Sequence, residues 1–222
     1  MPTTTKEVAV AESTELATPN ETIAGIDAND IDIPRINIVQ KTSDIDFDTG
    51  SVVLDKTHEI LTIDTKGPCI VLAAIKKWRE DVPFDDDVMP KIANTREEAD
   101  VMSTLNSSPD GNGYDIIEWA DITLLFPQPE GVDDPDTFPF PIGDNNYAIG
   151  RINVAKDAYR KTFKALATFA TFNKTVSLNS RLWTFESQLM SRGKYSWCVP
   201  TLTVSQEKTP QEVLDFAQSF GL

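Results

Sequence analysis

The sequence predicts a mainly β fold of the α+β kind. It should have an antiparallel β core with an inserted acidic loop and helix region, one long amphipathic helix and a C-terminal helical tail. Three observations lead there. Short runs rich in β-branched residues alternate with turn residues along most of the chain. One stretch, about Val154 to Phe172, holds a long 3.6-residue periodicity. Prolines are concentrated, eight of 14 lying between Pro83 and Pro141, so that region reads as an excursion from the β core.

Residues 1 to about 30 are rich in Thr, Ala and Glu and contain no aromatic residue. Too little apolar surface is present to offset the entropy of ordering, which predicts a disordered acidic arm. The folded domain is expected over residues 31–205. Alternation and β-branching after Pro34 (Arg35-Ile36-Asn37-Ile38-Val39) predict its first strand. The segment Asp44 to Ser51 has alternate aspartates like a calcium loop, but the glycine falls at Gly50 and no glutamate closes the loop. Phe47-Asp48-Thr49-Gly50-Ser51 resembles an aspartic-protease signature, yet one copy supplies one carboxylate where that chemistry needs two, so a homodimer would be required. The simpler expectation is a turn at Thr49-Gly50 leading into a strand at Ser51 to Leu54.

Strand patterns follow at Glu59 to Ile63 and Pro68 to Ile75, the second leading into the basic and aromatic cluster Lys76-Lys77-Trp78-Arg79. That cluster is either a binding feature or a solvated strand end. Within the 83–141 insertion, Thr95-Arg96-Glu97-Glu98 has the form of a capping box opening a helix to about Leu105. Ser108 to Gly113 reads as a turn, Ile116 to Phe126 as a strand, and Pro127 to Pro141 as an acidic loop. Asn145 to Ile152 is a further strand. In the long helix, Tyr159, Phe163, Leu166 and Ala170 make an apolar stripe, and Lys156, Arg160 and Lys164 make a cationic row beside it. A hairpin then runs from Arg181 to Leu189, turns at Ser191 to Lys194, and returns from Tyr195 to Val204. Pro200 marks the returning strand as an edge strand or a bulged one. Residues 206–222 form the tail, whose Thr209-Pro210-Gln211-Glu212 opens a short helix with Val213, Leu214, Ala217 and Phe220 on one face. That face either docks on its own domain or serves as a handle for a partner.

Charge is segregated. From Arg151 to Pro200 there are nine basic residues and two acidic ones, a net of +7, which leaves −22 on the rest to reach the total of −15. The same segment holds two of the four tryptophans. Cations interleaved with flat rings suit a single nucleic-acid strand, because one neutralises phosphates while the other stacks on unpaired bases. The acidic remainder would repel nucleic acid elsewhere and confine it to the basic segment. The candidate contacts are Lys76, Lys77, Trp78, Arg79, Lys156, Arg160, Lys164, Arg181, Trp183, Phe185, Arg192, Lys194, Tyr195 and Trp197. Each hairpin aromatic lies either in the core or on a stacking platform.

The motifs Ile33-Pro34-Arg35-Ile36, Ala158-Tyr159-Arg160-Lys161, Trp183-Thr184-Phe185 and Gly193-Lys194-Tyr195-Ser196-Trp197-Cys198-Val199-Pro200, in that order, resemble bacteriophage single-stranded DNA-binding proteins. The resemblance covers roughly residues 31–204. It implies an OB-like antiparallel barrel, a role in phage DNA replication or recombination, and replication or recombination proteins as partners of the tail. The tail lacks the terminal acidic cluster usual in that class. No catalytic residues, cofactor or metal are expected. Two distant cysteines, Cys69 and Cys198, read as buried apolar residues, and a lone His58 leaves no multi-histidine metal set in one chain. With no apolar run of about 18 residues and no signal-peptide pattern at the N-terminus, the expected location is the cytoplasm, that of the host cell if the protein is viral. The competing readings are a virion or interaction protein, including an acidic mimic of DNA, and the dimeric protease built on Asp48.

Overall fold

The computed structural model describes residues 32–83 and 85–219. The expected acidic arm, residues 1 to about 30, and Phe220 of the tail stripe lie outside them. The elements in order are β1 (Ile36–Ile38), β2 (Val52–Leu54), β3 (His58–Leu61), β4 (Lys66–Glu80), β5 (Ile92–Ala93), α1 (Arg96–Asn106), β6 (Ile116–Pro127), β7 (Phe140–Ile142), β8 (Asn145–Ala155), α2 (Lys156–Lys161), α3 (Phe163–Phe172), β9 (Arg181–Arg192), β10 (Tyr195–Lys208) and α4 (Gln211–Ser219). Strands β1, β2 and β3 form one small antiparallel sheet in that order. The large sheet runs β10-β9-β4-β6-β8-β7, all antiparallel, with β5 paired to the end of β4. The α+β expectation therefore holds. Neither sheet is closed among the described residues, since no pairing joins β10 to β7.

Strand β6 lies inside the stretch that reads as an excursion, yet it sits between β4 and β8 in the middle of the large sheet. Its residues Ala120 to Phe126 are all buried. Ala120, Ile122, Leu124 and Phe126 pack the front and Leu125 the covered end of the back, so the apolar run Leu124 to Phe126 lacks the polar alternation of a half-exposed strand. On the front of the sheet, Val71, Ile122, Leu124, Phe126, Trp183 and Phe185 form the main core. The small sheet covers one part of it through Ile36, Val52 and Leu54, and α2–α3 covers the other through Tyr159 and Leu166. Phe126 meets Phe185 edge-on at 5.5 Å, and Phe169 of α3 meets Trp183 at 5.4 Å.

Gly150 on β8 marks how closely the small sheet approaches. A Cβ there would come within 2.5 Å of Ile36 Cγ1 and 2.7 Å of Leu54 Cδ2. Gln40, just past β1, ties the small sheet to the edge strand β10: its side-chain amide donates to the Cys198 carbonyl at 2.9 Å and accepts from the Cys198 N–H at 2.8 Å. In this way one side chain imitates a paired residue of a neighbouring strand and satisfies an otherwise open edge. Cys69 and Cys198 are both buried and free, and burial raises the pKa of each thiol.

The helix expected over 154–172 is two segments meeting at Thr162. That buried residue turns its hydroxyl back onto the Ala158 carbonyl at 2.6 Å, and side-chain bonds of this kind compete with the helical ladder. The capping box at α1 forms as expected, Thr95 accepting from the Glu98 N–H at 3.2 Å. Helix α4 docks on its own domain: Val213 is buried and Phe216 packs on Phe140 at 6.0 Å between ring centres. The acidic loop is pinned to β3, where the Thr137 hydroxyl lies 2.8 Å from His58 Nδ1 and donates to Asp134 at 2.6 Å. No helix among the described residues is long and apolar enough to cross a membrane.

Glu80, at the end of β4, is 1% exposed. Burial alone would raise its pKa, but its carboxylate accepts from the Lys91 N–H at 2.9 Å and from Asn112 and Asn106 at 3.0 Å each, and these bonds hold it below the ordinary value of 4.5. Because the folded value is the lower one, this stabilisation is present above pH 4.5 and is lost as pH falls through the folded value. In Glu80→Gln the NH2 end of the amide would meet a donor whichever way it is turned, the Lys91 N–H on one side or the Asn106 and Asn112 amides on the other, costing about 1–3 kcal/mol at neutral pH and flattening the acid limb of the stability profile, as read by urea unfolding against pH. Gly150→Ala should lower stability by about 1–3 kcal/mol in the same assay, because Ile36 and Leu54 must give way.

Candidate nucleic-acid interface

The strand-to-helix corner between β8 and α2 sets the position of the cationic row. Lys156 turns it with φ of 52°, a left-handed conformation that costs an L-residue roughly 1–2 kcal/mol. The chain then runs along the front of the sheet toward β10, with Tyr159 and Leu166 buried beneath it. Lys156, Arg160 and Lys164 follow one another along α2 and the start of α3, and all three are exposed. Lys156 pairs with Asp81 at 2.8 Å and Arg160 with Asp157 at 2.9 Å, while Lys164 forms no ion pair among the described residues. Exposed pairs of this kind are worth about 0–1 kcal/mol, so either cation can leave its partner for a phosphate at little cost.

Two clefts open in succession along β10 where the helices lie against it. The first, about 570 Å³, is lined by Gln40, Lys41, Lys156, Ala158, Trp197 and Val199. The second, about 510 Å³, is lined by Arg160, Lys164, Phe169, Phe172, Thr203 and Val204. Together they follow β10 from Ser196 to Val204, roughly 26 Å at the rise of a strand. Phe172 stands 82% exposed at the far end.

The hairpin register sorts the expected aromatics. Trp197 faces Met190 and Tyr195 faces Arg192, whereas Trp183 faces Val204 and Phe185 faces Leu202. Trp183 and Phe185 therefore point to the opposite side of the hairpin from Tyr195 and Trp197. They are 1% and 0% exposed, and the Trp183 indole donates to the Leu178 carbonyl at 2.9 Å. Both belong to the core, under α3, and neither is free to stack on a base. Tyr195 is exposed at the hairpin tip with the Lys194 ammonium 5.3 Å from its ring, and Arg192 is exposed beside it. Arg181 sits at the other end of the hairpin, about 36 Å along the strand from Arg192, and donates to the Gln206 carbonyl at 2.8 Å. One short site does not contain both.

Lys76-Lys77-Trp78-Arg79 occupies the C-terminal end of β4, just before Glu80. The pleat divides it: Lys76 and Trp78 face the front, Lys77 and Arg79 the back. Lys76 binds Glu118 and lies 5.0 Å from the Trp78 ring. Desolvation works against its ammonium, but the Glu118 hydrogen bond and the neighbouring Tyr159 outweigh it and hold the pKa above the ordinary lysine value. Lys77 pairs with Asp121 at 2.8 Å, and Arg79 covers Trp119 at 5.5 Å. These four do not act as one cluster.

Sequence reasoning missed Lys41, Phe172 and Trp119. Phe172 left a signal, since it lies about 120° from Leu166 around α3 and so off the buried stripe. Lys41 left none, because its loop reaches β10 through tertiary packing. No known protein family, curated protein or solved structure matches this chain.

The different burial of the tryptophans has a direct readout. Trp197→Phe should lower the fraction of tryptophan emission that acrylamide quenches, and Trp183→Phe should raise it, because Trp183 supplies a shielded component.

Proposed function

We propose that the protein binds single-stranded DNA without marked sequence preference, holding the strand in the groove along β10, and that it serves phage DNA replication or recombination. The observation that carries this reading is the exposed row Lys156, Arg160 and Lys164 lying beside two successive clefts that contain Trp197 and Phe172. Phosphates would lie on the helix side, with Lys41 at one end. Bases would stack on Trp197, Phe172 and, at the hairpin tip, Tyr195, each contact worth about 1–3 kcal/mol. An open groove flanked by cations suits a flexible single strand, whose bases are free to reach rings on one wall while its backbone follows charge on the other. The OB-like barrel that the phage resemblance implies belongs to this proposal, with the small sheet and Gln40 standing where a barrel would close. The reading involves no catalysis and no cofactor.

A second reading, an interaction protein, draws on α1, where Val101 and Leu105 are 61% and 63% exposed. It predicts no response to oligonucleotides.

The test is binding of oligo-dT, followed by tryptophan fluorescence and gel shift over a range of salt. Lys156→Gln/Arg160→Gln/Lys164→Gln should weaken binding and reduce the slope of log affinity against log salt by about 2, the value for three phosphate contacts on a single strand. An unchanged affinity and slope would remove the groove from the binding site. Absence of binding by the wild-type chain at low salt would favour the interaction reading.

A further inference from the structure

The back of the large sheet carries a second charged surface that the groove does not include, where Arg35, Lys77 and Arg151 stand among Asp32, Asp55 and Asp121. Helix α4 and β7 cover one end of that face through Val213, Phe216 and Ile142. The other end, toward Ile75 of β4, is open, and Ile75 is 53% exposed there. Register places Lys77, Trp119, Asp121, Arg151 and Asn153 on this open part. An isolated parallel bridge, Arg35 to Arg151, brings a second arginine alongside from the chain preceding β1. Bridged backbones lie about 4.8 Å apart, so the two arginines leave neighbouring positions. They line one cavity of about 610 Å³.

Two guanidiniums anchored on neighbouring backbones can grip one anion between them. Two of the three acids in the lining have partners within it. Asp121 is ion-paired with Lys77 at 2.8 Å and also accepts from Asn153, and Asp55 accepts the backbone N–H of Arg35 at 2.6 Å. Neither Arg35 nor Arg151 forms an ion pair among the described residues, where Asp32 is the one remaining acid of the cavity lining. The Trp119 indole N–H in the same lining is buried with no acceptor. Two planar forks without an ion pair in a concave site match the oxygens of a phosphate group.

We infer that Arg35 and Arg151 form a phosphate-binding site on the back of the sheet, taking the phosphate of a nucleic-acid backbone or a free phosphate group. The site is separate from the groove and does not depend on it.

The test uses the isotope-labelled full chain, with the arginine Nε–H signals assigned through Arg35→Lys and Arg151→Lys. Inorganic phosphate and oligo-dT are titrated in turn into the wild type and the groove variant Lys156→Gln/Arg160→Gln/Lys164→Gln. Shifts of both arginine signals in both proteins are expected, and the double variant Arg35→Gln/Arg151→Gln removes both forks. If oligo-dT shifts them, the double variant also lowers the salt slope by about 0.7 per phosphate lost. Shifts with inorganic phosphate alone identify a small phosphate ligand. No shift with either, in protein whose spectrum shows it folded, overturns the inference. Oligo-dT affinity unaffected by the groove substitutions, with the arginine shifts intact, would defeat the groove reading and leave this one standing.

Discussion

The front face of the large sheet has to be covered, and most of the molecule follows from how that is done. Trp183, Phe185 and Phe126 present wide rings on one side of β9 and β6. Leaving them in water would forfeit roughly 1.5–3 kcal/mol for each large side chain. The small sheet and the α2–α3 segment divide the task. Each is amphipathic, so its polar side is determined once its apolar side is placed. The exposed cations of α2–α3 lie beside β10 because Tyr159 and Leu166 must lie beneath.

The same constraint explains the edges. A strand such as β10 offers unpaired N–H and C=O groups to any passing chain. Gln40 satisfies one residue's worth of them at Cys198, and Pro200 removes a donor nearby. The helices lie along the rest, and the depressions between helix and strand become clefts with a polar wall and an apolar floor. A binding groove in this position is therefore a by-product of covering an edge. Only the kind of side chain on its rim makes it suited to one ligand over another, and here the rim is cationic within an acidic chain.

The back of the sheet shows the opposite outcome. Helix α4 and β7 cover one end and stop, and beyond them β4, β6 and β8 carry Lys77, Asp121 and Arg151 beside the exposed Ile75. A sheet face without a covering layer must be polar, and this one is polar with both signs. Lys77 and Asp121 neutralise each other, while Arg35 and Arg151 stand on neighbouring backbones with no ion pair among the described residues. Two faces of one sheet thus hold cations for different reasons, one on a lid and one on bare strands.

Much of this was legible in the chain. Strand and helix positions followed from β-branched alternation and the capping box at Thr95. The charge reversal after Arg151 pointed to the cationic row, because helical spacing alone puts Lys156, Arg160 and Lys164 on one side. These are local properties, written in periods of two and 3.6 residues. Whether Trp183 or Trp197 is buried was not local: both sit in strands of similar pattern, and the choice came from which side of the hairpin met α3. The meeting of Arg35 with Arg151, the reach of Gln40 to Cys198, and the placing of β6 at the sheet centre likewise join residues far apart in sequence. Spacing along the chain carries no information about such pairings, since they are decided by which faces must be buried against each other. The sequence by itself determined the elements and the sign of their charge; the tertiary packing decided which side chains were left for a ligand.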